Sequence, residues 1–310
     1  MKVDLITGFL GAGKTTFLLG YARHLINRGL RIGILEYDYG PVNVDMVLLN
    51  SLRGPNCELE MVAAACDEDC LRRRFRTKLI AMAMSGYDRV IIEPSGIFDM
   101  DLFLDTLREE PLDSWCEIGS VLTVVNAEPE NDFDEESDFV LASEAADAGC
   151  ILLSRTQLVT PEDIRKTEEH VRSAAERIGC RKKLAEFLCK DWSTLTAEDY
   201  DRLMNAGYQV NDFVKVTAGR KSSFSSVIWL EPAGSPELLT EKVRKLLSDG
   251  KYGHVLRVKG FVQDKELCYQ INATRRTLHT ETKRTGPNIV IVIGSGLQEE
   301  KIRELLGSRV

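Results

Sequence analysis

The chain has 310 residues, a hydrophobic fraction of 44%, a charged fraction of 28% and a formal net charge of −8. This length and composition predict a globular protein with one large or two medium domains and a substantial core. The acidic balance, without a basic stripe, argues against a nucleic-acid-binding surface. The longest apolar stretches have the length of strands, which is too short to cross a membrane.

Eight cysteines are scattered along the chain without a pairing framework. We expect no signal peptide, because a glycine-rich motif already begins at residue 8. Both features predict reduced thiols and a cytoplasmic location. Together with the acidic charge and the short apolar runs, they lead us to expect neither nucleic-acid nor membrane partners.

The first half of the chain alternates short apolar runs with helical patterns, which predicts an α/β fold: a mostly parallel sheet flanked by helices. The predicted strands are Lys2–Ile6, Arg31–Glu36, Arg89–Glu93, Ser120–Val125 and Cys150–Ser154. The predicted helices are Lys14–Asn27, Cys70–Met84, Leu102–Arg108 and Pro161–Ile178. Residues 184–206 are expected to form further short helices, and the acid-rich stretch 128–138 a solvated loop.

The pattern changes near residue 212, where strands begin to follow one another with little helix between them. The predicted strands are Phe224–Leu230, Val255–Val262, Leu267–Ala273, Thr277–Thr282 and Ile289–Ile293, and the predicted helices are Pro236–Leu247 and Gln298–Leu306. This order predicts a smaller α+β domain with a mainly antiparallel sheet. We place the boundary at about 210–222, which gives a first domain over 1–212 and a second over 222–310.

The strongest motif is the sequence GFLGAGKTT, which follows the first predicted strand and has the form GxxxxGK[ST] of a phosphate-binding loop. Its glycines let backbone N–H groups converge on phosphate oxygens, and the following helix directs its positive end at the same anion. The motif predicts that Lys14 reaches the β and γ phosphates and that Thr15 ligates Mg²⁺. The candidate phosphate-binding residues are Gly8, Gly11, Ala12, Gly13, Lys14, Thr15 and Thr16.

Two further segments are placed to complete a nucleoside triphosphate site. Glu93 ends an apolar strand, and a carboxylate there lies at the ligand-binding edge of an α/β sheet. It can hold Mg²⁺ or orient the attacking water, and Gly96, three residues on, can offer its N–H to the γ phosphate. Asp38, which follows the second strand, is the candidate for a further contact to Mg²⁺ or its water.

The order of five motifs resembles the CobW-like branch of the metallochaperone P-loop GTPases, which are relatives of HypB and UreG. The five are the phosphate loop, the acidic segment ending at Asp45, the sequence EPSG at 93–96, the strand TVVNA at 123–127 and the sequence VLRVKGFV at 255–262. This resemblance covers nearly the whole chain. It implies a slow, Mg²⁺-dependent GTPase, catalytic roles for Lys14, Glu93 and Asp38, and a C-terminal domain of the CobW type.

The resemblance also implies a coupling between nucleotide hydrolysis and metal chemistry. Hydrolysis would drive delivery of a metal such as Zn²⁺ or Co²⁺, or activation of a client metalloenzyme or cobalamin-dependent protein. Two other classes stay open. One is a nucleotide-switched protein that binds a partner without a metal site of its own. The other is a small-molecule kinase on a P-loop scaffold, although no lid segment is evident.

The family reads the nucleotide base with the motif NKxD. At that position this chain has Ser154-Arg155-Thr156-Gln157 instead. In the usual motif an aspartate accepts hydrogen bonds from two donors of guanine, whereas neutral Gln157 can accept at one atom only. Loss of such a charge-assisted pair costs about 1.5–3 kcal/mol. The sequence therefore predicts weak discrimination between GTP and ATP, with Arg155 able to stack on a base.

The metal-binding Cys-x-Cys-Cys motif of the family is also incomplete in this chain. Residues 63–65 are alanines, and only Cys66 occupies a thiol position of the motif. Cys66 and Cys70 are four residues apart and would share one face of a helix, which makes them the candidate site for a soft metal. The alternative is that they are small buried residues. The tryptophans, including Trp192, are interpreted as packing residues.

Overall fold

The computed structural model describes residues 1–37, 45–62, 68–94, 100–128, 135–210, 224–230, 236–264, 267–275, 277–283 and 288–307. The chain divides into two compact units, Met1–Lys215 and Val216–Val310. Among the described helices, none has the length and apolar character needed to cross a membrane.

The first unit is built on a seven-stranded sheet in the order β3-β2-β4-β1-β5-β6-β7, and each neighbouring pair is parallel. Its strands are β1 Lys2–Thr7, β2 Ile32–Tyr37, β3 Cys57–Val62, β4 Arg89–Pro94, β5 Glu117–Asn126, β6 Cys150–Ser154 and β7 Phe187–Leu188. Its helices are α1 Lys14–Asn27, α2 Asp45–Leu49, α3 Glu68–Met84, α4 Met100–Leu107, α5 Leu112–Trp115, α6 Glu135–Ala146, α7 Pro161–Arg177 and α8 Ala197–Met204. The predicted α/β fold with a mostly parallel sheet is confirmed.

Alternation along the strands divides the core into layers on the two faces of the sheet. Val3 and Leu5 of β1 belong to a buried cluster that includes Phe75 of α3 and Phe103 of α4. Ile6 belongs to a separate buried cluster, which contains most of the apolar face of α1.

Several elements differ from the sequence predictions, which did not include the short helices α2 and α5. β3 was not predicted, because Glu58 and Glu60 interrupt its apolar residues, and Glu58 is exposed on this edge strand. The acid-rich stretch predicted as a loop overlaps α6, whose later residues Leu141, Ala142 and Ala145 are buried. Residues 184–206 are not all helical, because they contain β7 as well as α8 and a short 3₁₀ turn at Trp192–Thr194.

Asp4 of β1 and Arg89 of β4 form a buried ion pair in the sheet of the first unit. The Asp4 carboxylate accepts hydrogen bonds from Arg89 Nη1 at 2.6 Å, from the Tyr21 hydroxyl at 2.8 Å and from the Ser120 N–H at 2.8 Å. The register of β1 against β5 shifts at this point, between Val3 and Leu5. Each oxygen of the buried carboxylate is therefore satisfied, which is the condition under which a buried charge is tolerated.

The second unit contains a five-stranded antiparallel sheet in the order β11-β10-β9-β12-β8. Its strands are β8 Phe224–Leu230, β9 His254–Asp264, β10 Leu267–Thr274, β11 Leu278–Lys283 and β12 Ile289–Ser295, and its helices are α9 Pro236–Ser248 and α10 Glu299–Leu306. Leu239 and Val243 of α9 and Ile302 of α10 share one buried cluster with Val258 and Val292 of the sheet. The predicted smaller α+β fold with a mainly antiparallel sheet is confirmed.

Candidate nucleotide-binding site

The loop between β1 and α1 depends on three glycines with left-handed backbone conformations. Their φ angles are 139° at Gly8, 81° at Gly11 and 107° at Gly13, which other residues rarely adopt. At Gly8 the packing is also limiting, because an added Cβ would lie 2.2 Å from the carbonyl oxygen of Val124 on β5. The loop is thereby held against the carboxyl ends of the central strands.

The first turn of α1 presents its backbone N–H groups at the end of this loop. Gly13 is the N-cap residue and has no side chain to bond these groups, so the positive end of the helix stays open to an anion. Lys14 is the first residue of α1 and is 7% exposed. Its Nζ donates a hydrogen bond to the Gly8 carbonyl oxygen at 2.7 Å, which positions the ammonium group over the loop. Ala12 is buried within the loop and Thr16 is exposed in the same first turn.

Thr15 and Glu93 meet at the carboxyl end of β4. The Thr15 hydroxyl donates a hydrogen bond to Glu93 Oε1 at 2.7 Å, and Glu93 is only 3% exposed at the end of β4. A hydroxyl and a carboxylate are oxygen ligands of the type that Mg²⁺ takes, so this pair fits the ion chemically. Asp38 and Gly96, the other two residues predicted for this part of the site, lie outside the described residues.

The segment after β6 lies next to the phosphate loop. Arg155 has a left-handed φ of 57°, and its Nη2 donates a hydrogen bond to the Gly11 carbonyl oxygen at 3.0 Å. Its Nη1 lies 3.5 Å from Glu128 Oε2. The guanidinium therefore braces the loop, a contact that the stacking interpretation did not include. Ser154 is 2% exposed, whereas Gln157 is exposed in the next turn.

The two candidate metal cysteines are only partly described. Cys70 is half-buried in the first turn of α3, and Cys66 lies outside the described residues. Within the ranges that the structure describes, no group of three or more histidine, cysteine or acidic side chains is arranged to hold a metal ion. The cysteine site therefore stays a prediction.

Glu144 of α6 lies beneath the phosphate loop and was missed in the sequence. It is fully buried, and its Oε1 accepts a hydrogen bond from the Thr7 hydroxyl at 2.6 Å. Burial raises the pKa of Glu144 to about 7, against the opposing effects of the Thr7 hydrogen bond, the Lys14 ammonium and the Gly8 N–H. Its position among alanines and a leucine was the one sequence signal, and it could not be used because α6 itself was not predicted.

The glycine-rich loop, the open helix end and the buried Lys14 define a P-loop nucleotide-binding domain of the α/β class. The family model "CobW/HypB/UreG, nucleotide-binding domain" matches residues 2–180, and the model "Cobalamin synthesis protein cobW C-terminal domain" matches residues 230–309. The chain belongs to the CobW/HypB/UreG family of GTPase metallochaperones.

The chain is similar to several known proteins. "Zinc chaperone YeiR" of Escherichia coli is 22% identical over 308 residues, which cover 92% of this chain and 90% of that protein. "Zinc chaperone YjiA" of the same organism is 28% identical over 188 residues, or 58% of this chain and 55% of that protein. The crystal structure of Zn(II)-bound YjiA GTPase aligns over 98% of this chain and 97% of that chain, with 20% identity and a TM-score of 0.37.

Glu144 predicts a pH dependence of stability. Because the folded protein holds this proton more tightly than the unfolded chain, its contribution to the free energy of unfolding is fully present below about pH 4.5 and is lost as the pH rises through about 7. Glu144→Gln removes the ionisation, so its stability relative to the parent should rise between pH 5 and pH 8 by on the order of 3 kcal/mol. Urea unfolding at the two pH values measures this difference.

Glu176→Gln, an exposed substitution on α7, is the matched control and should show no such change. A stability difference between Glu144→Gln and the parent that is the same at both pH values would contradict the prediction.

Proposed function

We propose that this protein binds and hydrolyses a nucleoside triphosphate, GTP with ATP tolerated, in the presence of Mg²⁺. Hydrolysis would control the delivery of a metal ion to a client metalloprotein or the activation of a cobalamin-dependent protein. The observation that carries the proposal is the pairing of Lys14 with the Gly8 carbonyl and of Thr15 with Glu93 around one open helix end. The family membership of the chain supports it independently.

The phosphate loop would bind the triphosphate by charge and by backbone hydrogen bonds. Lys14 would exchange its bond to the Gly8 carbonyl for phosphate oxygens, while the first-turn N–H groups of α1 donate to the same anion. Gly13 allows this approach because no side chain stands between the helix end and the ligand. These contacts also neutralise the negative charge that develops during phosphoryl transfer.

Thr15 and Glu93 would hold Mg²⁺ directly or through its water, with Asp38 as a further ligand. When bound, the ion supplies charge neutralisation at the phosphates. Glu93 would in addition orient the attacking water, and Gly96 would offer its N–H to the γ phosphate. Loss of that phosphate would release the loops after β2 and β4, which is how hydrolysis would reach a partner.

The metal to be delivered is proposed from the relatives, several of which are named zinc chaperones. In this chain Cys66 and Cys70 would bind it, because thiolates suit zinc. A second candidate, a nucleotide-switched partner-binding protein without its own metal, is favoured by the alanines at 63–65, which cannot ligate. Phosphate release in the absence of an acceptor would argue against the kinase alternative.

The nucleotide part of the proposal is tested with Lys14→Ala. Removing the ammonium takes away charge-assisted hydrogen bonds, so the affinity for Mg²⁺ and GTP should fall by about ten- to a hundredfold or more. Calorimetric titration measures binding, and phosphate release measures turnover. Lys166→Ala, which changes an exposed lysine on α7, is the matched control. Absence of binding by the parent protein, or equal binding by Lys14→Ala, would overturn the proposal.

The metal part is tested by linkage. If the nucleotide controls metal binding, the factor by which GTP changes the Zn²⁺ affinity must equal the factor by which Zn²⁺ changes the GTP affinity. The double variant Cys66→Ser, Cys70→Ser should lose both effects, whereas Cys189→Ser, at an exposed cysteine, should keep them. Unchanged Zn²⁺ and Co²⁺ affinity in the double variant would reject the cysteine site and favour the second candidate.

Nucleotide selectivity depends on the neutral residue at 157. We expect the parent to prefer GTP over ATP by much less than a thousandfold, and Gln157→Asp to raise that preference by about ten- to a hundredfold through a charge-assisted pair with guanine. Gln157→Asn is the neutral control and should leave the ratio unchanged. Competitive titrations give the ratio, and a thousandfold preference in the parent would refute the expectation.

A further inference from the structure

A fully buried carboxyl group lies where β1 runs into the phosphate loop, and it has no role in the proposed function. Glu144 of α6 is 0% exposed. Its Oε1 accepts a hydrogen bond at 2.6 Å from the hydroxyl of Thr7, the last residue of β1. Its main-chain carbonyl accepts one at 2.8 Å from the Thr123 hydroxyl on β5. The side chain and the main chain of Glu144 are thus tied to the two strands that fix the start of the loop.

Gly8 connects this carboxyl group to Lys14. The Gly8 N–H stabilises the ionised form of Glu144, whereas the Gly8 carbonyl oxygen accepts a hydrogen bond from Lys14 Nζ at 2.7 Å. The positive charge of Lys14 stabilises the same ionised form. The ammonium group that is proposed to bind phosphate therefore also acts on a carboxyl group beneath the loop.

The other charged groups around α6 have partners of their own. On the side of α7, His170 and Arg177 both bind Asp138 of α6. Asp147, just after the end of α6, is a second buried acid with interactions of its own. The two strands contribute only threonine hydroxyls, which do not titrate near neutral pH. In the described part of the chain, Lys14 is thus the charged group through which a bound anion would act on this carboxyl group.

Burial leaves Glu144 close to the balance between its two forms. It raises the pKa of Glu144 to about 7, so the neutral and the ionised form are both populated near neutral pH. A triphosphate on the loop would add negative charge and would offset the positive charge of Lys14. Both effects disfavour the carboxylate. By linkage, neutralising the carboxylate must in turn favour the bound anion.

From these contacts, and resting on the proposed function, we propose that Glu144 is a positioning residue of the phosphate loop that takes up a proton from solvent as the triphosphate binds. The ionised form attracts the Lys14 ammonium and the Gly8 N–H in competition with phosphate. The neutral form keeps the hydrogen bond to Thr7 and leaves the ammonium to the anion. Affinity for the nucleotide therefore rises as the pH falls through neutrality.

The test is calorimetric titration with Mg²⁺ and GTP in two buffers that differ in ionisation enthalpy. Proton uptake makes the observed heat depend on the buffer, a readout that a purely structural residue does not change. Glu144→Gln cannot ionise, so its uptake at pH 7.5 should fall below that of the parent by about half a proton. Its rise in affinity from pH 8.5 to pH 6 should be smaller by about five- to tenfold, because a pKa shift of one unit corresponds to a tenfold change. Glu176→Gln, at an exposed position on α7, is the matched control and should behave as the parent.

A second variant keeps the test decisive if Glu144→Gln does not fold. Thr7→Val removes a hydrogen bond that stabilises the ionised carboxylate, so the pH of greatest proton uptake should move upward. Equal proton uptake by the parent and Glu144→Gln, or an unmoved pH profile in Thr7→Val, would overturn the inference and leave the proposed function intact. Failure of the parent to bind Mg²⁺ and GTP would instead overturn the proposed function, and the inference with it.

Discussion

The close approach of Gly8 to the Val124 carbonyl is the contact on which the candidate site depends. An added Cβ would lie 2.2 Å from that oxygen, so the chain can leave β1 against β5 only through a glycine. This approach fixes where the loop begins and hence where α1 begins, six residues later. Lys14 can then reach back to the Gly8 carbonyl, and Thr15 can face Glu93 across the sheet edge. The geometry of the candidate phosphate-binding loop is thus a consequence of how tightly β1 packs on β5.

Buried polar groups along β1 extend this dependence into the core. Asp4 is satisfied by Arg89, Tyr21 and Ser120, which fixes the irregular register of β1 against β5 without leaving a charge unpaired. Thr7, at the other end of the strand, bonds Glu144 just below the loop. Burial keeps the pKa of Glu144 near 7, so an ionised Glu144 costs stability while adding a negative charge near Lys14. The strand that positions the loop therefore also contacts, through Thr7, a carboxyl group on α6 whose pKa lies near 7.

The fold could be predicted in outline because its signals are local. α1, β6 and β8 follow from apolar runs and helix starts within their own residues, and α7 begins with a local capping box in which Thr160 and Asp163 bond each other. β3 and α6 could not be recognised, because their acidic residues mask faces that only tertiary packing buries. The two-residue strand β7 is too short to give any periodic signal, and it is formed by pairing with β6.

The candidate site, like the fold, has a part that local sequence signals predict and a part that only tertiary packing forms. The candidate phosphate-binding part consists of consecutive residues. The glycine-rich loop, Lys14 and the Thr15 hydroxyl must follow one another in the chain for the helix end to bind an anion. Ser154, at the end of β6, and Trp192, in the turn after β7, have no such constraint, and both come close to Gly13 only because β6 and β7 are neighbours beyond β5. A lone tryptophan in a sequence indicates packing, and Trp192 does pack on Phe17. Only the fold brings the Trp192 ring and the Ser154 Cβ to within 4 Å of the place where a Cβ on Gly13 would lie, so this packing around the loop is visible from geometry alone.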